Sequence, residues 1–268
     1  MGLSDEFWLD GARRRRSLGE RLDRKLSRLF GAPVGQARRL TVHGADGRTL
    51  ALDVPGDPGV GYVAREVLAE DCYPTVPGVD GISTIVDIGA NVGIAAARLR
   101  LAYPAARILC FEPNPAALSF LTRNAAATGA EVFPFGLGSA DAKLPLYMGR
   151  DSSVTASLFR HHMTDGAASE VDIRAAGGAL AAAGVTAIDL LKIDTEGAEL
   201  PILSSLAPFL AAIRIVHLEF HSEFDRRAIH AMFEPTHALW AARVAGRHAG
   251  QLTFVRADLA PDMQQIGG

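Results

Sequence analysis

The chain has 268 residues, with 49% hydrophobic and 21% charged side chains and a formal net charge of −3. That balance excludes a disordered or fibrous protein and gives no global attraction to nucleic acid or to an anionic membrane surface. Two cysteines, Cys72 and Cys110, are too few for a disulfide framework, so a reduced, cytoplasmic setting is expected.

Arg13-Arg14-Arg15-Arg16 has no apolar stretch behind it, which argues against a secretory leader. No apolar run of roughly 18 residues appears, so no spanning helix is expected. From Ser17 to Phe30, Leu18, Leu22, Leu26 and Leu29 recur at helical spacing between basic residues. This reads as an amphipathic helix that caps the body, pairs subunits in a homo-oligomer, or lies on a membrane or partner surface. Residues Arg39 to Asp53 read as a β-hairpin around the turn cluster Gly44-Ala45-Asp46-Gly47, and Tyr62 to Glu70 as a helix.

Strands and helices then alternate. Ile85–Ile88, Arg107–Phe111, Val132–Phe135, Ile188–Ile193 and Ile213–Phe220 read as strands, with an extra one at Leu144–Met148. Val92–Leu101, Pro115–Ala127, the Ala-rich stretch near Ala175–Ala183 and Glu199–Leu206 read as helices, and Leu239–Val244 with Leu252–Val255 as a closing antiparallel hairpin. Near-continuous apolar strands are expected where helices cover both faces of a parallel sheet, so the class is α/β, doubly wound and Rossmann-like.

The stretch Thr84 to Gly93 carries the strongest chemical information. A β-branched strand runs into the turn Gly89-Ala90-Asn91-Val92-Gly93 and then a helix, which lets the backbone approach a ligand and presents helix N–H groups. Glu112, at the end of the next strand, is placed to accept both hydroxyls of a ribose. Dinucleotide sites keep the second glycine of such a turn bare for a pyrophosphate. Here Asn91 would crowd one, and Asp87 at the strand end repels phosphate but suits the cationic sulfonium of S-adenosylmethionine. An NAD-dependent oxidoreductase on a similar sheet is the rival reading, and a non-catalytic module with a retained pocket is another.

Taken together, Arg65-Glu66-Val67-Leu68, Cys72-Tyr73, Val86 to Gly93, Phe111-Glu112-Pro113 and Leu191-Lys192-Ile193-Asp194-Thr195-Glu196-Gly197-Ala198-Glu199 resemble the FkbM family of methyltransferases. The likeness runs from roughly Tyr62 to Glu223. It implies a class I S-adenosylmethionine-dependent fold of seven strands with the last antiparallel, and O-methylation of a small-molecule or glycosyl hydroxyl, with transfer to nitrogen or carbon as the alternative. Residues 1–35 are then an N-terminal extension, 36–81 a hairpin and helix covering the site, and 82–268 the cofactor-binding domain.

Ligands of open α/β sheets lie beyond the carboxyl ends of the strands. The cofactor is therefore expected against Asp87, Gly89, Asn91, Gly93, Glu112, Pro113, Asn114 and Asp194. Gly136, after the third strand, either contacts adenine through its backbone or sits in a plain loop. Alternation places Lys192, Asp194 and Glu196 on one side of their strand, and His217, Glu219 and His221 on one side of theirs. His221 or Asp194 is the candidate general base, with Glu219 and Glu196 orienting it or binding the acceptor. Asp194 could instead cap the helix that follows. Lys192 is expected in an ion pair, His217 as a satisfied core histidine, Glu199 as a first-turn helix charge, and Tyr73 as a core aromatic or else as a ring that stacks or hydrogen-bonds over the cofactor. The polar run Ser152–Ser157, followed by His161-His162, reads as a substrate lid. The i, i+1 spacing of those histidines suits no metal pair, so no metal site is expected. No aromatic-plus-basic surface points to nucleic acid.

Overall fold

The computed structural model describes residues 4–8, 37–149, 156–159, 166–244 and 249–260. The helix expected over Ser17–Phe30 and the histidines at 161–162 lie outside these residues. Among them the central sheet has seven strands. Its members in chain order are β4 (Thr84–Ile88), β5 (Arg107–Phe111), β6 (Ala130–Phe133), β11 (Leu190–Ile193), β12 (Ile215–Phe220), β13 (His237–Val244) and β14 (Gly250–Arg256). Their spatial order is β13-β14-β12-β11-β4-β5-β6, and β14, the last in sequence, runs antiparallel to both neighbours. This is the mostly parallel, doubly wound architecture expected from the alternation of elements.

Both faces of this sheet are covered, as the apolar strands require. Val86, Ile88, Leu109, Phe111, Leu191 and Ile193 point into one core. Ile85, Ile108, Leu190 and Ile215 point into the other. Helices α2 (Ile94–Ala102), α3 (Pro115–Thr128), α4 (Ala176–Ala182), α5 (Glu199–Ser205), α6 (Ala207–Leu210) and α7 (Glu223–Phe233) flank it. Asn114 accepts a hydrogen bond from the Ala116 N–H at 3.0 Å, and Gly129 closes α3 at φ 62°, so that helix is delimited by local chemistry.

Two smaller sheets adjoin the body. β2 (Ala37–His43) and β3 (Thr49–Pro55) form the expected hairpin, joined by β1 (Ser4–Trp8), a parallel strand that the sequence pattern does not signal. Asp57 then caps α1 (Pro58–Leu68), accepting from the Val60 N–H at 3.1 Å. The hairpin packs on α2 and α3 through Leu40, Val42, Leu52 and Val54, with Ala97, Leu101 and Ala117 opposite. The second sheet, ordered β7-β10-β8-β9, combines Gly136–Gly138, Ala168–Ala175, Ala142–Met148 and Ala156–Ser157. Its β7 replaces the loop considered at Gly136. Strand β6 begins at Ala130 rather than Val132, because parallel pairing sets Cys110 opposite Val132 and Ile108 opposite Ala130.

Register produces one feature that alternation alone does not give. Cys110, Asp87, Lys192, His217 and Thr253 stand side by side on adjacent strands, forming a polar row across a buried sheet. The next residues on that face, at or just beyond the carboxyl ends of the strands, are Glu112, Asp194 and Glu219. The row therefore serves as the floor beneath those three side chains.

Candidate active site

A cavity of about 450 Å³ opens over the carboxyl ends of β4, β5, β11 and β12, within the roughly 300–1,000 Å³ typical of small-molecule sites. Helix α1 roofs it with Gly59, Tyr62, Val63 and Glu66, spaced i, i+3, i+4, i+7 so that one helical face meets the cavity. Phe111, Pro113, Leu137, Leu146, Leu158 and Ile173 form an apolar sleeve at one end, much of it from the side sheet.

The glycine turn is built for the protein's own backbone. Gly89 has φ +74°, and a Cβ there would stand 1.8 Å from the carbonyl oxygen of Asp194. No L side chain fits that approach of β4 to β11. Gly93, at φ +90°, faces Leu121 of α3 rather than the cavity; a Cβ would stand 3.1 Å from Leu121 Cδ1. Asn91 is left-handed at φ 51°, and its Oδ1 accepts from the Val92 N–H at 2.8 Å. Gly136 lines the cavity, and a Cβ would meet Ile173 Cδ1 at 2.6 Å and Pro113 Cγ at 3.3 Å.

Glu112 also lines the cavity. Its two oxygens accept from the backbone N–H groups of Asn91 and Asn114, each at 2.8 Å. One lone pair per oxygen then remains for a diol. Burial lifts the carboxyl to about 7 against those two N–H donors. Asn114 itself is buried behind this group and occupied in capping α3.

Asp87 lies deeper than the sequence reading places it. Its side chain is 0% exposed, and Lys192 Nζ stands 3.1 Å from its Oδ1. The same ammonium donates to the Gly89 carbonyl at 2.7 Å and lies 3.8 Å from Asp194 Oδ2. The anticipated ion pair of Lys192 is thus internal, and Asp87 holds the floor without reaching the cavity. Lys192 stays charged: burial opposes this, but Asp87 and Asp194 raise its proton affinity. His217 is buried, paired with Thr253 Oγ1 at 3.0 Å, and pushed down to about 3 by burial and the charge of Arg98.

Asp194 and Glu219 share the cavity wall, and Glu219 bonds to Asp194. Burial opposes ionisation of Asp194, but Lys192, Glu219, His221 and Tyr73 outweigh it and hold the group below the usual carboxylate range. Burial and the neighbouring Asp194 charge push Glu219 up to about 10, so it carries the proton of the pair. Asp194 does not cap the next helix. That helix has no side-chain cap, and Glu199, its first residue, turns back to hold the preceding turn, its Oε1 accepting from the N–H groups of Thr195 at 3.0 Å and Gly197 at 3.1 Å.

His221 stands behind the wall rather than in it. Its Nε2 is 3.1 Å from Glu196 Oε2, and its Nδ1 is 3.6 Å from Glu199 Oε1. Burial works against its charge, but Glu196 and Glu199 push it up to about 11, so it is an imidazolium at neutral pH. Sequence reasoning treats Glu66, Tyr62 and Glu199 as ordinary helix residues. The i, i+4 pairing of Tyr62 and Glu66 on one face of α1 is the one signal that could have marked two of them. Among the described residues, no group of three or more His, Cys, Asp or Glu side chains is arranged to hold a metal.

Residues 87–239 match the model of the Methyltransferase FkbM domain. "Methyltransferase 1" of Beauveria bassiana is 29% identical over 168 residues, covering 55% of this chain and 67% of that protein. "Methyltransferase sdnD" of Sordaria araneosa is 27% identical over 235 residues, 75% of this chain and 86% of its own. "Hexuronic acid methyltransferase AglP" of Haloferax volcanii is 26% identical over 198 residues, 73% of this chain and 75% of its own.

Proposed function

The chain belongs to the FkbM methyltransferase family, and from that premise we propose that it transfers a methyl group to a hydroxyl oxygen of a small-molecule or glycosyl acceptor. It is an S-adenosylmethionine-dependent enzyme, which sets aside the NAD-dependent reading. The residues present fit that cofactor. Glu112 keeps two lone pairs facing the cavity for the ribose diol, and the sleeve of Phe111, Pro113, Leu137 and Ile173 suits adenine. With Asp87 neutralised by Lys192, Asp194 is the carboxylate placed to face the sulfonium. When bound, the cofactor supplies an electrophilic methyl carbon and a neutral leaving thioether.

The observation that carries the reading is the placement of Asp194 on the cavity wall beside Glu219, with the Tyr73 hydroxyl 3.0 Å and Lys192 Nζ 3.8 Å from its Oδ2. Asp194 is an anion able to accept a proton, and Glu219 is a protonated carboxyl that fixes it. His221 is already protonated and outside the lining, so the base role falls to Asp194. A depressed carboxylate is a weak base, yet an alcohol becomes strongly acidic as its oxygen bonds to carbon. The proton released during transfer can therefore pass to Asp194 late in the step. Glu196, pinned by His221, lines the rim where an acceptor hydroxyl can hydrogen-bond. The chain's own larger task is to hold the oxygen on the axis of displacement at about 3 Å. Of the segment expected to cover the site, α1 supplies the roof of the cavity. The relative named for hexuronic acid supports a glycosyl acceptor.

Screening hydroxylated metabolites and glycosides with S-adenosylmethionine carrying a labelled methyl tests this directly. The label is expected in a methyl ether, and the matching deoxy compound should be inert. Label found only on nitrogen or carbon would overturn the oxygen assignment.

A further inference from the structure

We propose that Tyr73 is a positioning residue that holds the Asp194 carboxylate through its hydroxyl, an inference that rests on the base role given to Asp194 above. Tyr73 comes from the segment joining α1 to β4, and the residue is 3% exposed. The hydroxyl donates to Asp194 Oδ2 at 3.0 Å, across 121 residues of sequence. The ring tilts at 46° against the His217 imidazole, with centroids 5.7 Å apart. Packing therefore fixes the aromatic body, and the hydroxyl is its one polar group.

Glu219 is one hydrogen-bond partner of the Asp194 carboxylate, and distances decide whether Lys192 or Tyr73 holds its Oδ2. Lys192 Nζ is 3.8 Å from Asp194 Oδ2, beyond hydrogen-bond length, and is engaged at 2.7 Å by Gly89 O and at 3.1 Å by Asp87. Lys192 supplies charge, while Tyr73 supplies the directional bond on Oδ2. That bond draws Oδ2 towards the buried side and leaves Oδ1 outside its grip. Burial keeps the phenol protonated well beyond its ordinary range, so it acts as a donor at every working pH. A ring that merely filled the core would need no oxygen aimed at a carboxylate on the cavity wall.

The charged and titratable groups facing Asp194 come from every surrounding element. Lys192 lies on its own strand, Asp87 on β4, and Glu219 and His221 at the end of β12. Glu66 and Cys72 face it from α1 and the segment after it. All of these stay in place when only the Tyr73 oxygen is altered.

The test follows the Asp194 carboxyl by carbon NMR in ligand-free protein, its signal identified by loss in Asp194→Asn. Tyr73→Phe removes a donor to the ionised form, so the titration should move up by about half a pH unit or more. Replacing Tyr73 with 3-fluorotyrosine keeps ring and hydroxyl, makes a stronger donor, and should move it down. The fluorinated protein keeps the question answerable if the phenylalanine variant fails to fold. No movement in either direction overturns the proposal.

Turnover gives a second readout, using labelled S-adenosylmethionine and whichever screened hydroxyl compound the wild type methylates. Tyr73→Phe should lower kcat about tenfold while the KM for S-adenosylmethionine stays within about twofold. Normal kcat in Tyr73→Phe beside an inactive Asp194→Asn sinks the role of Tyr73 alone. Normal kcat in Asp194→Asn itself sinks the base assignment on which it rests.

Discussion

Around Glu112 the polar side chains of the cavity are satisfied by backbone, whereas around Asp194 they are satisfied largely by other side chains. Glu112 takes two main-chain N–H groups, Asn91 takes the N–H of Val92, and Gly89 leaves room for the Asp194 carbonyl. Asp194, Glu219, Glu196, Glu199 and His221 instead divide protons and charge among five side chains from two strand ends and a helix. The first arrangement presets shape, as a nucleoside pocket requires. The second presets protonation, as a proton-handling site requires. Substitutions should therefore damage folding or cofactor affinity at the first end and turnover or pH response at the second.

The largest effect is expected at Gly89. Gly89→Ala drives a Cβ to 1.8 Å from backbone at φ +74°, and should cost about 4 kcal/mol or more in denaturant unfolding. Gly47→Ala is the control, because its φ of +83° is similar but nothing lies within 4 Å of its Cβ. It should cost only about 1 kcal/mol. Equal losses at the two sites would remove the argument from close strand approach.

Asp194→Asn comes next. Turnover should fall on the order of 100-fold, the usual scale for a lost general base, with affinity for S-adenosylhomocysteine, which lacks the sulfonium charge that Asp194 faces, kept within about twofold. A large loss of affinity instead would move Asp194 from the acceptor side to the cofactor side of the comparison. Glu112→Ala should do the reverse and weaken S-adenosylmethionine binding by about 1–3 kcal/mol in calorimetry, the scale of lost charged hydrogen bonds. Unchanged affinity there would deny Glu112 the ribose.

The most diagnostic effect is in pH. His221 rises from 6.5 to about 11 on folding, so the native state binds its proton more tightly than the unfolded chain does. Its stabilisation is complete below about pH 6.5 and is lost as pH climbs towards 11. Thermal unfolding midpoints should fall across that window, and His221→Gln should flatten the fall. A slope unchanged in the variant would place the alkaline sensitivity elsewhere.

The same contrast explains what the residues reveal in one dimension. Strand-turn-helix chemistry is local, so Thr84 to Gly93 and Phe111-Glu112-Pro113 disclose a nucleoside pocket, and strand alternation discloses the sheet. Depth is not local. Asp87 and Asp194 look alike as strand-end acids, yet register sets Asp87 opposite Lys192 and Cys110 in the buried row, one layer below Asp194. His221 looks like a base until Glu196 and Glu199 are brought against it by the turn before α5. Tyr73 meets Asp194 across 121 residues, a separation that no spacing rule anticipates. The strand Ala168–Ala175 alternates at Glu170-Val171-Asp172-Ile173-Arg174, but its pairing with the glycine-rich β7, which brings Ile173 to the cavity, is equally hidden.

A crystal structure with S-adenosylhomocysteine, the demethylated product, probes the division of the cavity most directly. The account places the ribose hydroxyls on Glu112 and the sulfur towards the Asp194–Glu219 pair, with the adenine in the sleeve of Pro113, Leu137 and Ile173. A sulfur turned away from that pair, or a ribose held by groups other than Glu112, would contradict it.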